Sequence, residues 1–384
     1  MRDAPARDWD PTASDVQADP HAAHDTMRER CPVAYSDYAG WTLFRHADVE
    51  RVLHDPERFS NAVSTHVSVP NGMDPPQHTA FRKLIEPYFA AHRVAAFEPE
   101  CRRIAGALVH TLDRGAAVEL MCELAEPFAV RVQCAFLGWP ESMHEPLREW
   151  TRKNHAATLA RDRAAMSAVA REFADHVDQM VRARRDAVDV PAPDITSALL
   201  HETVNGRALH FDEIVSILRN WTMGEVGTIA AAVGILGYHL AAEPALQRRL
   251  RAQPDALPEA IEEILRLDGP LLSNRRVTTR AVAIGGRRLE VGARIEISWI
   301  AANRDPAVFE APAQCRIERD QAHNLLYGAG IHLCPGAALS RMELRVVLTA
   351  LLAGTGWIGL DAPRASTRAR LPAAGFSELH LAIE

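Results

Sequence analysis

The ten residues Tyr327-Gly328-Ala329-Gly330-Ile331-His332-Leu333-Cys334-Pro335-Gly336 set a cysteine among three glycines, directly before the helical run Ala337 to Leu348. Glycine permits positive φ and lets backbone approach a flat ligand closely. Proline is preset for the first helical position, which would make Cys334 the cap. A thiolate at a helix N-terminus is stabilised by about half a positive charge and by inward N–H groups, and such a soft anionic sulfur suits a haem iron. The plain alternative is a glycine-rich turn in which the cysteine fills a gap. Cys31, Cys101, Cys122, Cys134 and Cys315 form no C-x-x-C pair, so buried free thiols are expected rather than a disulfide framework or a zinc site.

Other residues carry chemistry by spacing. Glu263 and Arg266 share a helical face and can form a charge-assisted hydrogen bond, although a solvated surface pair has the same pattern. Gly224 and Gly227 each lower helix propensity by about 1 kcal/mol and thin one wall of their helix. Glu225, three before Thr228, is placed to relay protons through water on the same side. It reads equally as a solvated or structural carboxylate, because an uncompensated charge in an apolar pocket costs several kcal/mol. His78, Arg82, Arg276 and His332 read singly as surface charges or satisfied histidines.

These residues need long helices and a few strands to position them. Apolar residues recur three and four apart from Pro99 to Arg185 and from Asp212 to Leu267, predicting packed helices. Between Arg276 and Ile300 the period changes to rough alternation around Gly285-Gly286, predicting a small antiparallel sheet. Trp41–Phe44 and Leu379–Ile383 are further strand candidates. The fold class is therefore mainly α with small antiparallel β-sheets. The chain has 384 residues, 47% hydrophobic and 24% charged, which excludes collagenous and disordered classes and leaves a core large enough to enclose a ligand. A net charge of −7 without long single-sign runs argues against nucleic acid as a partner. The first thirty residues hold no apolar signal core, and no stretch of about 18 uncharged apolar residues is expected; no membrane and a cytoplasmic location follow. The nearest thing to a linker, Asp189 to Asp194, does not warrant a cut, so residues 1–384 are read as a single domain.

Tyr327 to Gly336 resembles the cysteine-ligand loop of the cytochrome P450 family, with Tyr327 where Phe is usual, and the likeness runs nearly end to end. Asp74-Pro75-Pro76-Gln77-His78-Thr79-Ala80-Phe81-Arg82 resembles the family's helix-opening segment over one haem edge. Glu263-Ile264-Leu265-Arg266 resembles its Glu-x-x-Arg helix, and Ala301-Ala302-Asn303-Arg304-Asp305-Pro306 with Phe309 is also familiar. The resemblance implies a cytochrome P450 fold and haem b (iron protoporphyrin IX) with Cys334 as axial ligand. It implies His78, Arg82, Arg276 and His332 as propionate partners, Gly328 as a residue of the haem loop, and a buried Glu263–Arg266 brace. The family's third partner, an Arg in a Pro-x-Arg-Phe run, falls at Gln314, with Cys315 at the Phe and Arg316 nearby, so that triad is expected to be incomplete.

Counting back from Glu243-Pro244 puts Thr228 at the family's proton-managing Thr, but Gly227 stands where an acid is usual. Pro335 offers no N–H to the sulfur, which would leave more electron density there and lower the iron potential. The stretch from Asn61 to Met73 is shorter than the cover most relatives carry. Val67, Val69, Trp221, Met223, Gly227, Leu271, Leu272 and the turn at Gly375-Phe376 are candidate pocket residues. With Glu225 and Thr228 as catalytic candidates, the implied activity inserts one oxygen atom of O2 into a small hydrophobic or aromatic substrate, by hydroxylation or O-dealkylation. The Val69–Pro76 run, the Asn-Trp-Thr helix and the Cys-Pro-Gly loop resemble haem domains fused to a flavin and iron–sulfur reductase. No iron–sulfur spacing or dinucleotide turn is present here, so a ferredoxin with its reductase, or another reductase, would supply electrons in trans. A peroxide-driven peroxygenase and a non-catalytic haem-binding sensor or recruitment module stay open.

Overall fold

The computed structural model describes residues 5–64, 66–115, 117–186 and 194–384. The expected linker therefore lies outside the described residues except for Asp194, which caps the helix Ile195–Leu199 by accepting from Ser197 N–H. The chain forms two compact units, one of residues up to 66 with 71–77 and 259–334, the other of residues 67–70, 78–258 and 335–384.

The first unit is built on a five-stranded sheet in the order Val33–Ser36, Gly40–Leu43, Arg294–Ser298, Ser273–Thr278, Phe59–Ser60. Ser273–Thr278 and Arg294–Ser298 run antiparallel, as the alternation predicts. Arg294–Ser298 also pairs parallel to Gly40–Leu43, Ile295 opposite Trp41 and Ile297 opposite Leu43, so the sheet is mixed. A pairing between strands this far apart in the chain needs no hairpin, and local alternation carries no signal for its direction. Val282–Ile284 and Arg287–Leu289 form the hairpin turning at Gly285-Gly286. The sheet packs on Val49, Val52, Leu53, Trp299 and Ala302. Glu296 is buried among these strands because Thr42 and Ser273 hydroxyls donate to it at 3.1 and 2.6 Å.

The second unit is helical. Ala91–His110, Glu126–Leu137, His144–Ala160 and Arg163–Asp186 occupy the first periodic stretch. Phe211–Thr222 runs through a wider turn, Met223–Gly227, into Thr228–Ala242. By length and composition Phe211–Ala242 is apolar enough to cross a membrane, but 72% of its most apolar window is buried inside the protein. Residues Ile229 to Gly237 are buried all round, the signature of a core helix. Ala337–Gly354 packs along Ala91–His110, and a three-stranded sheet orders Ile358–Leu360, His380–Ile383, Ala117–Glu119. Of the thiols away from the loop, Cys101 and Cys134 are buried, Cys31 and Cys315 half-buried, and Cys122 is exposed, so burial holds for fewer of them than composition suggests.

Candidate active site

In the first unit the cysteine loop is fixed by its backbone. The Cys334 N–H donates to Tyr327 C=O at 2.9 Å, Leu333 N–H to Gly330 C=O at 3.1 Å, and Gly328 N–H to Leu325 C=O at 2.9 Å. Gly328 and Gly330 sit at φ of +73° and +67°, where side chains are strained. At Gly330 a Cβ would also stand 2.2 Å from the Leu53 carbonyl oxygen, so the loop can turn here only on glycine. Cys334 is half-buried. The helix that follows starts at Ala337 with Gly336 as its cap, so Cys334 lies two residues ahead of the cap position expected for it. Pro335 stands outside the helix, because Gly336 C=O accepts the first helical bond, from Ser340 N–H at 2.9 Å.

A buried charge cluster braces that loop. Arg266 and Glu263 side chains are fully buried, and the guanidinium grips the carboxylate twice, Nε–Oε2 2.8 Å and Nη2–Oε1 2.9 Å. Burial excludes the solvated-pair reading. Arg266 Nη1 also donates to Asn303 C=O at 2.6 Å, and the Asn303 side-chain oxygen accepts Leu325 N–H at 2.8 Å. One chain of bonds thus runs from the helix Leu257–Leu267 to Leu325, whose carbonyl in turn accepts the Gly328 N–H of the cysteine loop.

The third cation is neither Gln314 nor Arg316. Arg319 Nε donates to Glu263 Oε1 at 3.0 Å, completing the triad expected to be incomplete. The Arg316 side chain reaches exposed Glu310 at 3.1 Å and contributes only its backbone N–H to Glu263, at 2.9 Å. Gln321 adds a bond at 3.0 Å. Burial alone would raise the Glu263 pKa, but these donors together hold it below its ordinary value. A second arginine three residues after Arg316 was the only sequence signal, and in an irregular segment spacing does not tell which side chain points inward.

Arg276, on Ser273–Thr278, is buried. Its guanidinium donates to Arg275 C=O at 2.7 Å and meets no carboxylate at ion-pair distance among the described residues. Burial pulls its pKa down to about 10, with Asp74 opposing. His332 lies half-buried in the turn Gly330–His332. Leu272 is buried and Leu271 exposed.

In the second unit, Met223–Gly227 is a π-type turn, with one residue more than the α-helical repeat. This changes the expected register. Gly224 and Gly227 are exposed, with open space where a Cβ would stand, and Thr228, half-buried, donates its hydroxyl to Gly224 C=O. Glu225 does not join them: it is buried and its carboxyl meets that of Glu343, on Ala337–Gly354. A count of three in an α-helix would have shared a face; the wider turn rotates Glu225 inward. Glu343 carried no sequence signal beyond being an acid in an apolar helix.

Trp221 is buried against Phe89 and Tyr88, ring centroids 5.1 and 5.6 Å away. Met223 Sδ lies 3.3 Å from Asn154 Nδ2. Ser216 hydroxyl accepts Val69 N–H at 2.8 Å, Asn220 donates to Val69 C=O at 2.9 Å, and Arg219 donates to Val67 C=O at 2.8 Å. Val69 is thereby buried under the helix while Val67 stays exposed. His78 is buried, and Arg82, on the helix Gln77–Ile85, pairs at 2.9 Å with Glu86 at the start of the next turn, Glu86–Phe89. Phe376 is packed on Tyr238 at 4.9 Å and under Arg368 at 4.3 Å. The turn at Gly375-Phe376 approaches the same helix at Ala231, where a Cβ on Gly375 would stand 3.2 Å from the Ala231 carbonyl oxygen.

The residues present fit haem. Its ligand needs a thiol on a loop closely approachable by backbone, which Cys334 and its glycines offer. Its propionates need a shielded cation, and Arg276 is buried and meets no carboxylate at ion-pair distance among the described residues. A flat face along a helix needs missing side chains, as at Gly224 and Gly227.

Comparison with known proteins agrees with this geometry. The cytochrome P450 family model matches residues 152–354. Cyclomarin C epoxidase CymV of Salinispora arenicola is 32% identical, covering 85% of this chain and 86% of its own. Erythromycin C-12 hydroxylase of Saccharopolyspora erythraea is 30% identical over 88% and 87%. A solved structure of a P450 EryK mutant with erythromycin B aligns at TM-score 0.86 and 26% identity, over 95% of this chain and 96% of that one. The likeness extends far past the cysteine loop and takes in both compact units, so this chain belongs to the cytochrome P450 family.

Proposed function

We propose that the whole chain works as one haem-thiolate monooxygenase domain in the cytoplasm, inserting one oxygen atom of O2 into a small hydrophobic or aromatic substrate by hydroxylation or O-dealkylation. Electrons come from a separate ferredoxin and its reductase, or another reductase. The observation that carries this reading is the half-buried Cys334 on a loop tied through Asn303 to the buried Glu263–Arg266–Arg319 cluster. Haem, when bound, supplies the iron that activates oxygen. Cys334 would hold the iron, and the cluster keeps its loop from shifting. Arg276, His332, His78 and Arg82 would meet the propionates, Arg276 fitting best because its charge is buried with no carboxylate at ion-pair distance among the described residues. Thr228 keeps a hydroxyl on the open, glycine-lined stretch of helix, where it can hold and pass a proton at Oγ1. Val69, Trp221 and Met223 exclude water and favour an apolar substrate. The relatives' names, a cyclomarin C epoxidase and an erythromycin C-12 hydroxylase, support oxygen insertion as the reaction class.

One observation favours a peroxide-driven alternative: Gly227 supplies no acid beside Thr228, and Glu225 is turned inward. The test is spectroscopic first. Reduced protein under carbon monoxide should show the thiolate-ligated absorption band, and Cys334→His should shift it to the imidazole type; an imidazole-type band in the parent rejects Cys334 as ligand. Small aromatics are then screened for spin-state shifts, and hits are turned over with NADH and a surrogate ferredoxin system or with peroxide. Product from peroxide alone would select the alternative.

A further inference from the structure

Trp221 carries a donor that its own surroundings leave unused, within the monooxygenase reading on which this inference rests. The side chain is 9% exposed, and its Nε1–H is buried without an acceptor among the described residues. Trp139 and Trp150, equally buried, are satisfied inside the chain: they donate to Thr196 Oγ1 at 3.0 Å and to Val169 C=O at 2.8 Å. A buried donor left unpaired costs more than an ordinary hydrogen bond contributes, so the Trp221 N–H is completed by an acceptor that the chain itself does not bring. The polar side chains beside it are committed. The Tyr88 hydroxyl donates to Glu202 Oε1 at 2.8 Å, Asn220 Nδ2 donates to Val69 C=O at 2.9 Å, and Thr222 Oγ1 accepts from Gln133 Nε2 at 3.2 Å. The indole's own contacts are rings, Phe89 edge-to-face at 5.1 Å and Tyr88 at 5.6 Å. A ring face is a weak acceptor that an oxygen within reach replaces.

The surroundings say what chemistry brings that oxygen. Three elements meet the helix between Asn220 and Met223: the cover at Val69, the turn Glu86–Phe89, and the helix His144–Ala160 through Asn154. Around the N–H the lining is aromatic, with Phe136 stacked on Phe89. Of the guanidiniums on adjoining positions, Arg219 donates to Val67 C=O and Arg93 lies over the Tyr88 ring. One uncharged donor in such a nest does not offset the desolvation of a carboxylate, whereas it satisfies a ketone or ether oxygen in full. We propose that Trp221 is the specificity-determining donor of the site, its Nε1–H binding the neutral oxygen of a small aromatic ketone or ether. A hydrocarbon of the same shape leaves the N–H unpaired and is discriminated against.

The test uses holoenzyme with two pairs of probes matched in shape, acetophenone against α-methylstyrene and anisole against ethylbenzene. The ferrous carbonyl form, which is diamagnetic, is labelled with 15N at its seven tryptophans. The indole signal lost in Trp221→Phe, or in Trp221→Tyr should the first variant not hold haem, belongs to Trp221. Acetophenone and anisole should move that signal downfield while both hydrocarbons leave it near its free position. Trp9, also buried without an acceptor among the described residues and set between Phe44 and His24, should not respond. In spin-state titrations of the ferric form, the ratio of Kd for each oxygenated probe to that of its hydrocarbon should rise about five-fold from parent to Trp221→Phe. A Trp221 signal that neither oxygenated probe moves overturns the proposal and assigns the N–H to an internal partner. Ratios equal in parent and variant overturn it as well. A parent lacking the thiolate carbonyl band fails the monooxygenase reading instead, while the indole shift still reports whether Trp221 receives the oxygen.

Discussion

We propose that Pro335 acts through what it lacks. The residue following the ligand cysteine is the natural donor to its sulfur, and proline has no N–H. Sulfur that accepts fewer hydrogen bonds keeps more charge and favours the ferric state. Pro335→Leu restores a donor without touching the helix, which starts two residues later at Ala337. Its haem midpoint potential should lie above the parent's in spectroelectrochemical titration; an equal or lower value rejects the idea. The site was legible at this scale wherever a residue type is constrained by itself. Gly330 declares a backbone that no side chain could follow, as the 2.2 Å approach to Leu53 shows. Cys334 is a thiol in such a loop. Residues whose role depends on direction, such as Glu225, were not legible, because an inserted residue in the helix turns the side chain away from the face that simple counting assigns.

At the scale of elements, the same rule explains what was found and missed. Long helices and the Gly285-Gly286 hairpin follow from local period. The parallel pairing of Arg294–Ser298 with Gly40–Leu43 does not, since it is settled by which strands the core brings side by side. Arg319 belongs to this class: the helix Leu257–Leu267 fixes Glu263 and Arg266 on one face, but the third cation arrives from an irregular segment. Its worth is testable. Arg319→Ala removes a charge-assisted bond from a fully buried carboxylate and should cost about 2–3 kcal/mol, with haem occupancy falling as the loop behind Leu325 loosens. Arg316→Ala breaks only a pair whose Glu310 is 87% exposed and should cost under about 0.5 kcal/mol. Urea unfolding at constant m measures both. Equal losses would mean that Arg319 is not part of the brace.

Across the whole molecule, acids divide into two sets with opposite pH signatures. Glu263, Asp25, Asp194 and Glu98 are held below their ordinary values by arginine and backbone donors against the opposing effect of burial. Their contribution is present above the unfolded pKa and is lost as pH falls through the folded one, so they govern acid unfolding. Glu225 and Glu343 are raised from 4.5, chiefly by burial. Their contribution is complete below the unfolded value and is lost as pH rises towards the folded one. In that window the folded protein binds one more proton than the unfolded chain, so stability falls by up to about 1.4 kcal/mol per pH unit. Cys101 at about 12 and His24 at about 3 titrate outside it. Glu296 and Asp48, also raised by burial, slope the same way in parent and variant and cancel in the comparison. Glu343→Gln removes the carboxyl that burial and the neighbouring Glu225 hold well above its ordinary value and leaves an amide beside Glu225. Unfolding free energy from urea titrations between about pH 5 and 8 should therefore fall less steeply in Glu343→Gln, by up to about 1.4 kcal/mol per unit. Parallel curves would show that the pair exchanges no proton on folding, and the buried carboxyls would then need another counter-charge.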